Sequence, residues 1–383
     1  MDHYSEVRDP QSTRVLDRVR PGHSLNILFI TYQGDIAGST NSIAYLTQAL
    51  ADIGHNVYLG VRRESLLFEK MQGTAVKLIP MVFKSKFDWD TINHIKRIVK
   101  RYGIQVINAQ SSRDRYLAIF AKCVFDLDVK VIHTRRQVSK SIGLFTNTFY
   151  EKGTESIIAV SEGVKASLVQ NGIAPGHIHV VHNGTPKEKY QNINQELILE
   201  LREKFEIKEG DFVIGCISRR KHQQQILQAV GLLKTPVTVI FVGVENDPLF
   251  QEIIAGYKTG HRVYFTGLVP CEEVLSYYGL FDVKILASTT EGLSQALLEA
   301  MYLHVPVIAT AAAGNLDLID DQKNGLLFED NDIEGLSSRI AMIKEDPILR
   351  STITKNGRRT AEIDFSIEKT VSKYEEFFYS LIQ

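Results

Sequence analysis

Two carboxylates and one short run of cations are the residues in this chain best suited to chemistry. Glu291 and Glu299 stand with seven residues between them in Glu291-Gly292-Leu293-Ser294-Gln295-Ala296-Leu297-Leu298-Glu299. Ser294 reads as the N-cap of a helix reaching about Leu303. Gly292 would let the backbone come close to a ligand. The unpaired N–H groups of the helix start, with its dipole, make an anion site. Glu299 lies in a helix that is apolar nearly all round, and such a helix is buried. A carboxylate there is costly unless something binds it. Either a ligand does so, or a nearby backbone group or basic residue does. The cations are Arg219-Arg220-Lys221, at the end of the apolar run Phe212–Ser218. Cations at a strand mouth suit a diphosphate leaving group, whose growing charge they stabilise. A solvated basic turn is the other reading.

The elements that must hold these residues follow one rhythm. Short all-apolar runs near Asn26–Thr31, Val57–Val61, Val76–Pro80, Ile104–Asn108, Val129–Thr134 and Ser156–Val160 alternate with helical segments, the first spanning Asn41 to Ile53. Apolar strands alternating with amphipathic helices predict a parallel sheet covered on both faces. The rhythm pauses between Asn183 and Gly210. It resumes with Phe212–Ser218, Val237–Val242, Val263–Phe265, Val283–Ala287 and Val305–Thr310. The fold class expected is therefore α/β, with two doubly wound, Rossmann-like domains. A chain of 383 residues also exceeds the size at which one core usually suffices. The expected boundaries are a polar extension over 1–24, a first domain over 25–185, a second over 186–364, and a final helix within 365–383.

Composition narrows the function. The net charge of -1 gives no bulk attraction to nucleic acid. Cys123, Cys216 and Cys271 have neither metal-ligand spacing nor the density of a disulfide framework, which suits a reducing compartment. No run of about 18 apolar residues or signal-peptide core is present, so a cytoplasmic location is expected, with room for peripheral membrane contact.

The text around the two carboxylates resembles that of the family-4 retaining glycosyltransferases, which adopt the GT-B fold and carry an E-x7-E motif. Phe265-Thr266-Gly267-Leu268-Val269-Pro270, the strand from Asp282 to Ser288, and Ala300-Met301 through Val305–Thr310 resemble the segments flanking that motif. Ile157–Val164 and Val180–Gly184 resemble further family segments, and the likeness runs from about Asn26 to Phe365. It implies two domains facing across a cleft, with the second holding a nucleotide-sugar and the last helix crossing back to the first. By the same resemblance Glu299 would hold the ribose hydroxyls and Glu291 the donor sugar. The amides of Gly292, Leu293 and Ser294 would approach the phosphate and sugar. Gly267, Leu268 and Val269 would cradle the base. Arg219 and Lys221 would meet the diphosphate, with Arg220 as the other candidate for the arginine. His304 departs from the pattern, standing where the family usually has Gly.

In the first half, the loop Gly34–Ser39 lacks G-x-G-x-x-G, which counts against a dinucleotide site. In the family this loop faces the donor phosphate and the acceptor, and Gly38 is the best match. Arg113, in Ser111-Ser112-Arg113-Asp114, and either His133 or Arg136 lie near expected carboxyl strand ends. The resemblance puts a His near the donor sugar here. This run also resembles enzymes of lipopolysaccharide and surface-polysaccharide assembly. A surface basic turn is the alternative.

Asp88-Trp89-Asp90 is a D-x-D, but Asp88 reads better as an N-cap. Asp126 and Asp128, like Asp330 and Asp332, fall at element boundaries. No catalytic metal and no cofactor are expected. The helix Asp88–Tyr102 could touch anionic lipid, or be an ordinary half-buried helix. The expected function is retaining transfer of a sugar from a nucleoside-diphosphate sugar to a hydroxyl of a glycan or lipid-linked acceptor. A nucleotide-sugar epimerase or hydrolase, and a binding protein without chemistry, are the alternatives.

Overall fold

Short runs of Val, Ile, Leu and Phe form the thirteen strands of the computed structural model, which describes residues 24–35, 37–138 and 144–382. The expected N-terminal extension, Ser24 apart, lies outside the described residues. The first seven strands are β1 (Asn26–Thr31), β2 (Asn56–Val61), β3 (Lys77–Pro80), β4 (Val106–Ala109), β5 (Lys130–Arg135), β6 (Ser156–Ala159) and β7 (Ile178–Val180). The remaining six are β8 (Val213–Ile217), β9 (Thr238–Val242), β10 (Arg262–Phe265), β11 (Val283–Leu286), β12 (Val307–Thr310) and β13 (Leu326–Phe328). They make two sheets, in the orders β3-β2-β1-β4-β5-β6-β7 and β10-β9-β8-β11-β12-β13. Helices connect the strands, so each sheet is doubly wound, as the alternating pattern predicts. The three-residue strands β7 and β13 were not expected. Each is an edge strand, too short to stand out as an apolar run.

Both sheets reverse direction at one place. β1 lies between β2 and β4, and β8 lies between β9 and β11. In a parallel sheet the crevice at such a reversal, beyond the carboxyl ends of the strands, is where ligands bind. β8 and β11 run in register, Val283 with Ile214 and Lys284 with Gly215. The loops leaving these two strands carry Arg219, Lys221 and Glu291.

The described residues pack as two compact units. One comprises the described residues before 37 with Ile43–Val131, and the other Ala37–Ser42 with Ile132–Leu381. In the first unit, the helix Trp89–Tyr102 buries Ile92, Ile95, Ile98 and Val99 and leaves Trp89 exposed. Asp88 holds its N-cap position. Its carboxylate accepts from the Lys84 amide at 3.1 Å and the Thr91 hydroxyl at 2.5 Å. No helix among the described residues is long and apolar enough to cross a membrane.

In the second unit, Val160, Val164, Leu293, Leu297, Leu298 and Phe365 belong to one hydrophobic cluster. The final helix, Ile367–Ile382, packs on the β5 to β7 region. Tyr374 Oη lies 3.3 Å from Thr134 Oγ1, Thr370 donates to His182 O at 2.9 Å, and Phe377 sits 4.7 Å from the His179 ring. The chain at Gly184 passes so close to Ser366 that a β-carbon would collide with the Ser366 backbone. Asp317 ties two further segments together. Its carboxylate accepts from the Glu162 amide at 2.7 Å, at the start of the helix Glu162–Gln170, and lies 2.8 Å from His182 Nε2. The carboxylate side chain is nearly buried, and anions at helix starts are favoured by the unpaired N–H groups there. Replacing Asp317 by Ala is expected to destabilise the fold by about 2 kcal/mol. Urea unfolding checks this: the midpoint should fall while the slope stays unchanged.

Candidate nucleotide-sugar site

At the β8/β11 reversal the Lys221 ammonium meets the Glu291 carboxylate directly. Both side chains are largely shielded, with 28% and 17% exposure. Burial pushes the Lys221 ammonium down to about 8, and Lys284 and Arg219 nearby push the same way. The loop carrying Lys221 is held by Gln223, which is buried. Its amide nitrogen donates to Ser218 Oγ at 2.8 Å and to Arg219 O at 2.7 Å, while its oxygen accepts from the Lys221 N–H at 2.6 Å. A clamp of this kind fixes where the Lys221 backbone leaves the strand.

The two arginines separate clearly. Arg220 pairs with Asp247 at 2.8 Å and lies 3.8 Å over the Phe250 ring, so it is committed to the start of the helix Pro248–Ala255. Arg219 is exposed at the carboxyl end of β8. Arg219 lies close enough to Lys221 to help lower its ammonium.

Gly292 is required by the packing around it. A β-carbon there would collide with the Arg136 carbonyl and come within 3.2 Å of Val160 Cγ2. Gly314 packs against the Gly292 carbonyl in the same way, and its amide donates to Glu291 O at 3.2 Å. The loop is thus held from both sides. Leu293 and Ser294 are buried, and Ser294 Oγ accepts from Leu297 N at 3.3 Å, capping the helix Gln295–Tyr302 as expected. Gly38, which opens the helix Gly38–Asp52, comes near this cap: a β-carbon on it would lie 3.5 Å from Gln295 Cγ. Both amide atoms of Gln295 are buried without a hydrogen-bond partner.

Glu299 is half-buried, and it is not stranded. Lys189 Nζ lies 2.5 Å from its Oε1, and the Tyr278 hydroxyl donates to its Oε2 at 2.8 Å. Of the two partners the sequence left open for this carboxylate, the chain itself provides the basic residue. Beneath it, Lys284 on β11 is fully buried and donates to Ile285 O at 2.8 Å. Burial pushes the Lys284 ammonium down, and the charge of Glu299 works against that.

The other expected residues are placed unequally. His133 is buried within β5 and does not follow it, whereas Arg136 lies beyond the strand with its carbonyl against Gly292. Arg136 is thus the member of that pair brought to the acidic motif. Arg113 belongs to the other compact unit, donating to Phe83 O at 2.9 Å with its guanidinium 4.3 Å over the Tyr32 ring. Gly267 adopts a left-handed φ of 63° and accepts from Gly243 N at 2.8 Å, which sets the loop after β10 beside the loop after β9. Leu268, next in that loop, is 82% exposed. His304, at the position that departs from the family pattern, takes a left-handed φ of 59°, the conformation for which Gly is the usual choice.

Sequence reasoning missed Lys189, Tyr278, Gln223 and Lys284. A lone Lys inside the apolar strand Val283-Lys284-Ile285-Leu286 was a readable signal, because an unpaired ammonium there is costly. Lys189 and Tyr278 carried none, since only folding brings them to Glu299. Among the described residues no group of three or more His, Cys, Asp or Glu is placed to hold a metal ion.

Known proteins resemble this chain along both of its halves. A family model described as "Glycosyltransferase Family 4" matches residues 36–189, and one described as "Glycosyl transferases group 1" matches residues 198–360. An uncharacterized glycosyltransferase of Methanocaldococcus jannaschii, MJ1069, is 28% identical over 236 residues, which cover 60% of this chain and 60% of that protein. An Escherichia coli protein named UDP-Gal:alpha-D-GlcNAc-diphosphoundecaprenol alpha-1,3-galactosyltransferase is 23% identical over 316 residues, covering 77% of this chain and 80% of that one. The crystal structure of a glycosyltransferase from Rickettsia africae superposes with a TM-score of 0.81 at 20% identity, covering 94% of this chain and 99% of that one. The two parallel-sheet domains are those of the GT-B class. With its halves matched in turn by the two family models and the acidic motif placed at the strand reversal of the second sheet, the chain belongs to the family-4 glycosyltransferases.

Proposed function

We propose that this protein transfers a sugar from a nucleoside-diphosphate sugar to a hydroxyl of a glycan or lipid-linked acceptor, with retention of configuration. The observation that carries the reading is the contact of Lys221 with Glu291 at the β8/β11 reversal, beside a capped helix start. In this reading the pair is a donor grip. An incoming diphosphate takes the ammonium, and the freed carboxylate accepts hydroxyls of the donor sugar. Arg219, exposed on the same loop, adds a second cation. Glu299 holds the ribose. The loop after β10, at Gly267, Leu268 and Val269, lies against the base.

Chemistry then needs no protein nucleophile. The bond from the anomeric carbon to the diphosphate oxygen breaks, and its electron pair leaves with the diphosphate. The acceptor hydroxyl forms the new bond on the same face and gives its proton to the departing phosphate. Lys221 and Arg219 stabilise the charge that grows on that phosphate, an effect realised most fully in the transition state. The Escherichia coli relative, whose name pairs UDP-Gal with a diphosphoundecaprenol-linked sugar, supports a nucleotide-sugar donor and a lipid-linked acceptor. In this reading Gly38 faces the donor phosphate and the acceptor, and Arg136 serves the acceptor side.

Calorimetry with UDP-, GDP- and ADP-sugars, followed by mass spectrometry of mixtures with lipid-linked and free glycan acceptors, tests the assignment. Glu299→Ala should abolish donor binding, and Lys221→Ala should lower turnover about 100-fold. Near-normal transfer by both variants would sink the proposal. Sugar release at the same rate without any acceptor would mark a hydrolase, and binding without product would mark a non-catalytic protein.

The lowered Lys221 value gives a pH test. Its useful form is the ammonium, present below about 8 and lost as pH rises through that value. The profile of kcat/KM reports groups of the free enzyme, so it should fall above about pH 8. Lys221→Arg stays cationic there, and its profile should remain flat to higher pH.

A further inference from the structure

Glu299 meets two donors before any ligand arrives, and they come from different elements. Lys189 lies in the 3-10 helix Lys187–Tyr190, in the segment that joins β7 to the second sheet. Tyr278 ends the short helix Val274–Tyr278. Each donor is itself fixed. Tyr190, next to Lys189, stacks on Tyr302 with ring centroids 4.0 Å apart and 16° between planes, and its hydroxyl is 2.9 Å from Thr185 Oγ1. Tyr302 and Glu299 are three residues apart on one helix, hence on one face. The Lys189-Tyr190 pair therefore mates with the Glu299-Tyr302 pair. The Tyr278 hydroxyl is shared between Glu299 Oε2 and Ala296 O at 2.9 Å, which fixes its direction. Burial first, and then Glu299, raise its pKa well above the ordinary tyrosine value, so it stays a donor.

We infer that Lys189 and Tyr278 are positioning residues for the donor nucleotide, holding the Glu299 carboxylate aimed so that its remaining lone pairs accept the two ribose hydroxyls. The inference rests on the proposed reading of Glu299 as the ribose holder. A carboxylate accepts about four hydrogen bonds, two on each oxygen. Lys189 occupies one site on Oε1 and Tyr278 one on Oε2, leaving one on each. A vicinal diol offers two hydroxyls, which match two acceptor oxygens. The side chains of Lys189 and Glu299 are only 13% and 12% exposed, so their attraction is screened less than that of a surface pair. An ionised carboxylate can only accept, and it therefore favours a ligand carrying both hydroxyls over one lacking either.

The readout is the preference for ribose over deoxyribose, not affinity alone. Wild type, Lys189→Ala, Lys189→Arg and Tyr278→Phe would be titrated with UDP, GDP and ADP, with their 2′-deoxy counterparts, and with inorganic diphosphate. Melting temperatures would confirm folding. Wild type should prefer the ribonucleotide about tenfold, as loss of a hydrogen bond to a charged group predicts. Lys189→Ala should lose most of that preference with diphosphate affinity unchanged, Lys189→Arg should keep it, and Tyr278→Phe should fall between. A full preference in Lys189→Ala, or an equal loss for diphosphate, overturns the inference and leaves the proposed function standing. Failure of wild type to bind any of the three ribonucleotides overturns the proposed function itself.

Discussion

A carboxylate can sit in an apolar setting only if hydrogen-bond donors and positive charge meet it there. This chain places two such carboxylates close in sequence, and each is met by a lysine from a distant part of the chain. Glu291 is met by Lys221, from the loop that ends β8. Glu299 is met by Lys189, from the segment that follows β7. Satisfying those two charges constrains much of what surrounds them. The strand order must bring β8 beside β11. The segment after β7 must lie along the helix Gln295–Tyr302, and Tyr278 must reach up from the helix before β11.

The same arrangement explains why small residues recur around the motif. Gly292 and Gly314 are pressed against carbonyls of Arg136 and of Gly292 itself. Gly163 is pressed likewise against the Ala313 backbone. These contacts draw Arg136, Gly163, the acidic loop and the turn at Ala313–Gly314 together. Backbone held from several sides keeps its N–H groups in fixed directions, and pre-set dipoles cost nothing to reorganise when charge develops nearby. The motif's glycine thus serves packing first.

Lys221, on the loop that leaves β8, and Lys284, on β11, both lie at this reversal, and burial lowers both ammonium groups. They differ in what they face. Lys284 is closed off and supports the charge of Glu299 from below, whereas Lys221 keeps partial exposure and contacts Glu291. Position relative to the strand end separates a closed-off cation from a partly exposed one.

The sequence by itself determined the periodic features. The α/β rhythm, eleven of the strands, the cap at Ser294, the final helix Ile367–Ile382 and the acidic motif all depend on local residue order, which is legible without folding. Its two missed strands, β7 and β13, are three-residue edges with too little pattern to register. Only the tertiary structure decided the partners. It assigned Lys189 and Tyr278 to Glu299, separated Arg220 from Arg219 by giving Arg220 an anchor on Asp247 and Phe250, and set Arg136, not His133, against the motif. Side-chain pairing across 110 residues, as between Lys189 and Glu299, leaves no periodic trace in a single sequence, because its energy exists only once the chain has closed on itself.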